Sequence, residues 1–386
     1  MYEERLSRLA KLHLLREIRP IESASGPTIN FQDRTAILMA SNDYLGLATH
    51  PALKRAAIEA TERFGVGSGA SRLVSGTLPP HVQLEKSLAQ FKDAESALVF
   101  GSGYLANIGL IPALINAKGL ILADRLCHAS LIDGCRLSGA DFRVYRHRDT
   151  SHLERLLMKS SPRRTTLIVT DGVFSMDGDL APLPELVRLA RHYQAKLLVD
   201  DAHGTGVMGR HGRGTLEYYG VEPLVPFHMG TFSKAMGASG AYVVGSESMI
   251  RYLVNSARSF IYTTAPPPAI AAACVAGMHI LKAEPERRAR LWENRAYFSN
   301  GLKTMGFPLT DTQSPILPVL IGDSQKALAM SNRLLEWGVY APAIRPPTVP
   351  NGSSRIRTTV TSEHTREQLD IVLDAFQRAG HALAII

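Results

Sequence analysis

The chain has 386 residues, of which 45% are apolar and 20% charged, an ordinary globular composition far from disordered sequences. No apolar run reaches the length of a bilayer span; residues 110–115, for example, are followed at once by Asn116 and Lys118. The net charge of +8 permits a nucleic-acid partner. However, the densest basic cluster, Arg287-Arg288-Ala289-Arg290, follows Glu284 and Glu286 on an expected helix and reads as a solvated face, so neither nucleic acid nor membrane is expected as a partner.

Residues 4–18 place Leu6, Leu9, Leu12 and Leu15 at steps of three, a helical stripe. The N-terminus, Met1-Tyr2-Glu3-Glu4-Arg5, carries no apolar signal core, and the three cysteines (Cys127, Cys135, Cys274) form no CxxC pair. Disulfides and a structural zinc are not expected, and a cytoplasmic location is. His50-Pro51 opens a helix that stops at Gly65, with proline at its first position and glycine at its end.

From there short apolar runs alternate with helical patterns. Residues 97–100 lead to a glycine turn and an apolar helix, and 120–123 end at Asp124. Ser151-His152-Leu153-Glu154 reads as a capping box, residues 166–170 end at Asp171, and a helix over 182–193 precedes the buried run 197–199. Such alternation indicates a parallel sheet covered on both faces, an α/β class, with ligands at the carboxyl ends of the strands. The texture changes near residue 281. A charged helix over 284–298, alternation at 316–321, a helix over 325–338, a strand at 355–360 and a helix capped by Thr365 and Gln368 predict a smaller α+β domain. The expected division is an N-terminal helix and extension at 1–45, a large domain at 46–282 and a small domain at 283–386.

The chemistry gathers in two segments. Lys196-Leu197-Leu198-Val199-Asp200-Asp201-Ala202-His203 ends an apolar run in acids and a histidine; Gly230-Thr231-Phe232-Ser233-Lys234 places a lysine in a Gly/Ser/Thr-rich turn. A cofactor with a pyridine ring and an aldehyde needs this arrangement. A carboxylate (Asp200) keeps the ring nitrogen protonated, His203 bonds the phenolic oxygen, and the amine of Lys234 captures the aldehyde as a Schiff base. The sequence is therefore read as that of a pyridoxal 5'-phosphate (PLP) enzyme. Asp201 is expected to face the other side in a structural role. Asp-x-x-His is also a metal pattern, but no further ligand cluster stands nearby, so no metal is expected.

Gly101-Ser102-Gly103-Tyr104-Leu105-Ala106-Asn107, after a strand and opening a helix, is the expected phosphate cradle, with a simple β-α turn as the competing reading of this segment alone. Gly204-Thr205-Gly206-Val207-Met208-Gly209 matches GxGxxG, but Arg210-His211-Gly212-Arg213-Gly214 follows and cannot open a helix, so a dinucleotide site is rejected. His128 reads equally as a core histidine or as an imidazole covering one face of the cofactor, and Ser175 reads as turn chemistry.

With these residues assembled, the chain resembles the α-oxoamine synthases. The likeness rests on Ser41-Asn42-Asp43-Tyr44-Leu45-Gly46-Leu47, Gly67-Ser68-Gly69-Ala70-Ser71-Arg72, Asp200-Asp201-Ala202-His203-Gly204 and Thr231-Phe232-Ser233-Lys234. It implies the PLP-dependent transferase fold type I, a large domain with a mainly parallel seven-stranded sheet between helices plus a smaller α+β domain. Ala343-Ile344-Arg345-Pro346-Pro347-Thr348-Val349-Pro350 resembles most the members that join L-alanine to a pimeloyl thioester of CoA or of an acyl carrier protein. Members using glycine and other acyl groups are the alternative; Ser71, where glycine-restricted relatives tend to carry threonine, leaves room for the methyl of alanine. The resemblance further implies that His128 stacks on the ring, that Ser175 and His203 contact its substituents, and that Gly103, Tyr104 and Thr231 line the phosphate region. Thr263 or Thr264 would reach the phosphate in a partner subunit, making a homodimer with shared sites. Arg357 would bind the amino-acid carboxylate, Arg16 and Thr348 the acyl portion, and Asn42 and Ser71 would face the substrate. Asp171 stands where relatives often carry glutamate, and neither it nor Arg72 is assigned.

Overall fold

The apolar runs that end in polar residues form one sheet. In the computed structural model, which describes residues 1–161 and 163–386, its seven strands lie in the spatial order Ser96–Phe100, Ala241–Gly245, Phe227–Thr231, Lys196–Asp200, Thr166–Asp171, Leu120–Asp124 and Asp141–Tyr145. Only Ala241–Gly245 runs against the others. Leu120–Asp124, Thr166–Asp171 and Phe227–Thr231 are buried at every residue. Burial on both faces explains why these segments are continuously apolar instead of alternating.

Each face carries its own core. Leu98, Val169, Leu198 and Met229 join the cluster that includes Ala106, Leu110 and Ile111 of the helix Gly103–Leu114. Leu122, Ile168, Leu197 and Val199 join Leu186 and Leu189 of the helix Leu183–His192. Burying each of the larger aliphatic side chains contributes about 1.5–3 kcal/mol. Because side chains alternate along a strand, Leu198 and Asp200 share the first face, while Val199 and Asp201 share the second.

The parallel strands end at one edge, where Asp171 stands in register with Asp200, and Asp200 with Met229. One expected cap is displaced. The helix Thr150–Met158 is capped by Asp149, whose Oδ1 accepts from the His152 N–H at 2.7 Å, and the expected box at Ser151 and Glu154 does not form the cap. Asp149 also receives Arg146 at 2.6 Å, which holds its carboxylate in place.

The chain divides into two units, one of residues 47–175 and 180–285, the other of 1–46, 176–179 and 286–386. The second unit pairs Ile316–Gly322 with Ser354–Thr359 and then Ala343–Ile344, all antiparallel, and holds a separate sheet of Thr28–Phe31, Arg34–Leu38 and Val339–Tyr340. Residues 176–179 belong to it because Arg355 donates to Asp177 Oδ1 at 2.6 Å and to the Met176 carbonyl at 2.9 Å. Thr365 and Gln368 form the expected reciprocal cap of the helix Arg366–Ala382. The N-terminal helix is shorter than its leucine stripe predicts: Tyr2–Lys11 buries none of its residues and stops where His13 takes a φ of 55°.

His364 makes this unit sensitive to acid. Its Nδ1 accepts from the Thr361 N–H at 3.0 Å and its Nε2 donates to the Leu38 carbonyl at 3.1 Å, so the fold needs the neutral ring. Burial pushes its pKa from 6.5 down to about 4. This stabilisation is complete above pH 6.5 and is lost as pH falls towards 4, for a total of roughly 3 kcal/mol. Urea titrations at pH 7 and pH 4.5 should therefore show a smaller acid-induced fall in midpoint for His364→Asn than for wild type; equal falls would contradict this account.

Candidate active site

The carboxyl edge of the large unit assembles most of the expected residues. Asp200, nearly inaccessible to solvent, ends the central strand; its Oδ1 accepts from the Ala202 N–H at 3.0 Å and its Oδ2 from Asn107 Nδ2 at 2.8 Å. Asp171, its neighbour in register, is also buried, and Oδ2 accepts the backbone N–H of His128 at 2.9 Å. Two carboxylates on one face of adjacent strands repel each other. Burial first, and the charge of Asp200 second, push the Asp171 carboxyl well above the usual range, while the nearby Lys234 charge pulls it down.

Lys234 lies just beyond the strand Phe227–Thr231, half-buried, with Nζ 3.4 Å from Thr231 Oγ1. Two glycines shape this turn. Gly237 has a φ of 64°, and a Cβ on Gly230 would come within 2.3 Å of the Tyr242 hydroxyl. Gly103 opens the helix Gly103–Leu114 beside the same strand end: a Cβ there would meet Thr231 Cγ2 at 2.9 Å, so glycine allows the helix N-terminus to reach Thr231. The hydroxyl of Ser102 caps this helix through the Leu105 N–H. Tyr104, half-exposed, donates to Asp133 Oδ2 at 2.6 Å. His203 is buried in the turn after Asp200, and Ser175 is half-buried after the strand Thr166–Asp171.

His128 caps the helix Ala129–Leu137 with its own ring, Nδ1 accepting from the Ser130 N–H at 3.3 Å. Elsewhere in this unit Ser71 and Thr264 form an isolated antiparallel bridge, with Thr263 beside it. Arg72 makes a two-pronged ion pair with Glu85, both contacts at 2.9 Å, and donates to Thr77, which gives it a structural role. Asp201, on the opposite face from Asp200, accepts the Thr215 N–H and hydroxyl at 2.8 and 2.7 Å.

The second unit groups the remaining expected residues into two places. Arg357 is buried on the strand Ser354–Thr359 and donates to Asn42 Oδ1 at 3.2 Å. Tyr44, also bonded to Asn42, is pushed up to about 12 by burial, with the Arg357 charge opposing. Arg16 donates to Thr348 Oγ1 at 2.7 Å at a cleft of about 640 Å³ also lined by His13, Arg19, Tyr340 and Arg345. Arg345 fastens the carbonyls of His13 and Leu15 there.

From the sequence Ser130 has no role, and Asn107 enters only as the last residue of the expected phosphate cradle, whereas its amide bonds Asp200 and Ser130. A single amide in the otherwise apolar stretch Leu105-Ala106-Asn107-Ile108-Gly109-Leu110 was the available signal, because a buried amide in such a helix requires a partner. Among the described residues no group of three His, Cys, Asp or Glu side chains is placed to hold a metal ion. All three cysteines are free and buried.

The model of the family described as aminotransferase class I and II matches residues 34–376. The chain is 47% identical over 370 residues to 8-amino-7-oxononanoate synthase 1 of Bacillus velezensis, covering 96% of this chain and 95% of that one. It is 48% identical over 384 residues to the 8-amino-7-oxononanoate synthase of Geobacter sulfurreducens, covering 99% and 98%. Among solved structures it superposes on serine palmitoyltransferase from S. paucimobilis, solved with PLP-myriocin bound, with a TM-score of 0.96, 34% identity and coverage of 100% and 98%.

The raised carboxyl of Asp171 generates a specific expectation. Asp171→Asn keeps an oxygen for the His128 N–H and, like the protonated acid, carries no charge, so unfolding free energy should change by less than about 1 kcal/mol, whereas Asp171→Ala should cost about 1–3 kcal/mol. Denaturant titration checks this; equal losses in the two variants would contradict it.

Proposed function

We propose that this chain, which belongs to the aminotransferase class I and II family, is an 8-amino-7-oxononanoate synthase that condenses L-alanine with a pimeloyl thioester and releases CO2. The observation that carries the reading is the buried acid Asp200 on the central strand with Lys234 beyond the neighbouring strand, in a chain alike along nearly its whole length to relatives of that name. PLP is the cofactor, and when bound it withdraws electrons from the amino-acid Cα so that a proton and then the carboxylate can leave.

The residues present fit that group. Gly103 clears a way to Thr231 at a helix N-terminus, where free N–H groups and the helix dipole favour a phosphate. Asp200 is a buried carboxylate suited to a cationic ring nitrogen. Lys234 would hold the cofactor through its aldehyde, and its amine is the base that would take the Cα proton of alanine. His128 covers one face of the ring, and His203 and Ser175 contact its substituents. Gly103, Tyr104 and Thr231 hold the phosphate, with Thr263 or Thr264 supplied by the second subunit of a homodimer.

Arg357 binds the alanine carboxylate, its planar fork matching two oxygens better than an ammonium would. Asn42 and Ser71 face the substrate. The acyl chain lies towards Arg16 and Thr348; a pimeloyl thioester keeps one free carboxylate, and the cations at that cleft suit it. The acyl donor is CoA or an acyl carrier protein, and the enzyme works in the cytoplasm.

The reading is tested by CO2 release from L-alanine and from glycine, across acyl-CoA donors of graded chain length. L-alanine with the seven-carbon dicarboxylic donor should give the highest kcat/KM. Preference for glycine with a two-carbon donor would overturn the substrate assignment.

A further inference from the structure

We propose that Asn107 and Ser130 are positioning residues that join Asp200 to His128 by hydrogen bonds of fixed direction and so keep the imidazole proton on Nε2. The chain of contacts is short and fully traced. Asn107 Nδ2 lies 2.8 Å from Asp200 Oδ2 and 2.9 Å from Ser130 Oγ; Ser130 Oγ lies 2.7 Å from His128 Nδ1. Asn107 is wholly inaccessible to solvent and Ser130 almost so.

Each direction follows from what the atoms are able to do. A carboxylate only accepts, so the amide turns its NH2 towards Asp200, and the same NH2 can only donate to Ser130. Asn107 Oδ1 is then left without a partner in the interior. A buried amide that uses both N–H groups and leaves its carbonyl unsatisfied does little for stability; its donors are what the site retains. Ser130 Oγ, having accepted from Asn107, is free to give its own proton to His128. Nδ1 also faces the Ser130 N–H of the helix cap, at a longer 3.3 Å that favours the same tautomer without fixing it. Both contacts at Nδ1 deliver hydrogens to it, which leaves the ring proton on Nε2.

The backbone of the same residue is held as well. The His128 backbone N–H is fixed on Asp171, so backbone and ring of this one residue are tied to the two carboxylates that stand in register on adjacent strands. The consequence for catalysis rests on the function proposed above: with His128 over the cofactor and Asp200 at its ring nitrogen, the network sets the orientation of the covering ring relative to the acid and offers an Nε2–H to the reacting side.

Long-range proton–nitrogen NMR of holoenzyme labelled with 15N-histidine tests this. In wild type His128 should show the Nε2–H pattern. Ser130→Ala should give a mixture of tautomers, and Ser130→Thr, which keeps the hydroxyl, should restore the wild-type pattern. Asn107→Ala and Ser130→Ala should each weaken PLP binding, measured by equilibrium dialysis, by roughly three- to tenfold, as expected for one lost hydrogen bond. An Nδ1–H or doubly protonated ring in wild type, or an unchanged tautomer and PLP affinity in both alanine variants, would overturn the proposal. Wild type showing the Nε2–H pattern but no PLP affinity would uphold the network and refute the cofactor assignment instead.

Discussion

Two carboxyl groups standing side by side out of water organise the large unit. Asp171 and Asp200 occupy matched positions on adjacent parallel strands, point to the same face and are both buried. Neither the sheet register nor the cores above and below it allow them to separate. The site resolves this in two ways: Asp171 is pushed towards its protonated form, and Asp200 receives a backbone N–H, an amide and, in the proposed enzyme, a cationic ring. His128 and Lys234 are drawn into the same balance, one through its backbone N–H on Asp171 and the other through its charge.

The opposite face of the same strand end is equally constrained, with a different outcome. Asp201 has no exposure and binds the turn at Thr215, close to His228 and to the buried Lys92. Burial lowers Lys92 to about 8 although Asp201, Glu222 and Glu217 favour its charged form. Its ammonium donates to Thr205, whose hydroxyl pairs with Tyr242, and to the Arg213 carbonyl. These contacts anchor the turn that follows Asp200 and carries His203. A strand that ends in two acids thus places one where a ligand can meet it and uses the other to fix its own position.

Much of this was legible in the residues because it depends on local chemistry. Apolar runs ending in Asp124, Asp171 and Asp200 marked buried parallel strands; the failed helix after Gly209 ruled out a dinucleotide site, and the structure has only turns before the short helix Thr215–Tyr219. What was not legible depends on partners remote in sequence. Asp149 rather than Ser151 caps its helix because the chain turns earlier than the capping pattern indicates. The leucine stripe at the N-terminus continues past the point where His13 turns the backbone. Asn107 was conspicuous among apolar neighbours, but its partners lie 23 and 93 residues away. Spacing alone did not reveal them.

The central claim is that Lys234 is the amine that carries the cofactor, next to Asp200. Borohydride reduction of the holoenzyme, digestion and mass spectrometry test it most directly. The account predicts a single pyridoxyl-phosphate adduct on the peptide containing Lys234. An adduct on another lysine, or none in protein that retains the cofactor, would contradict it.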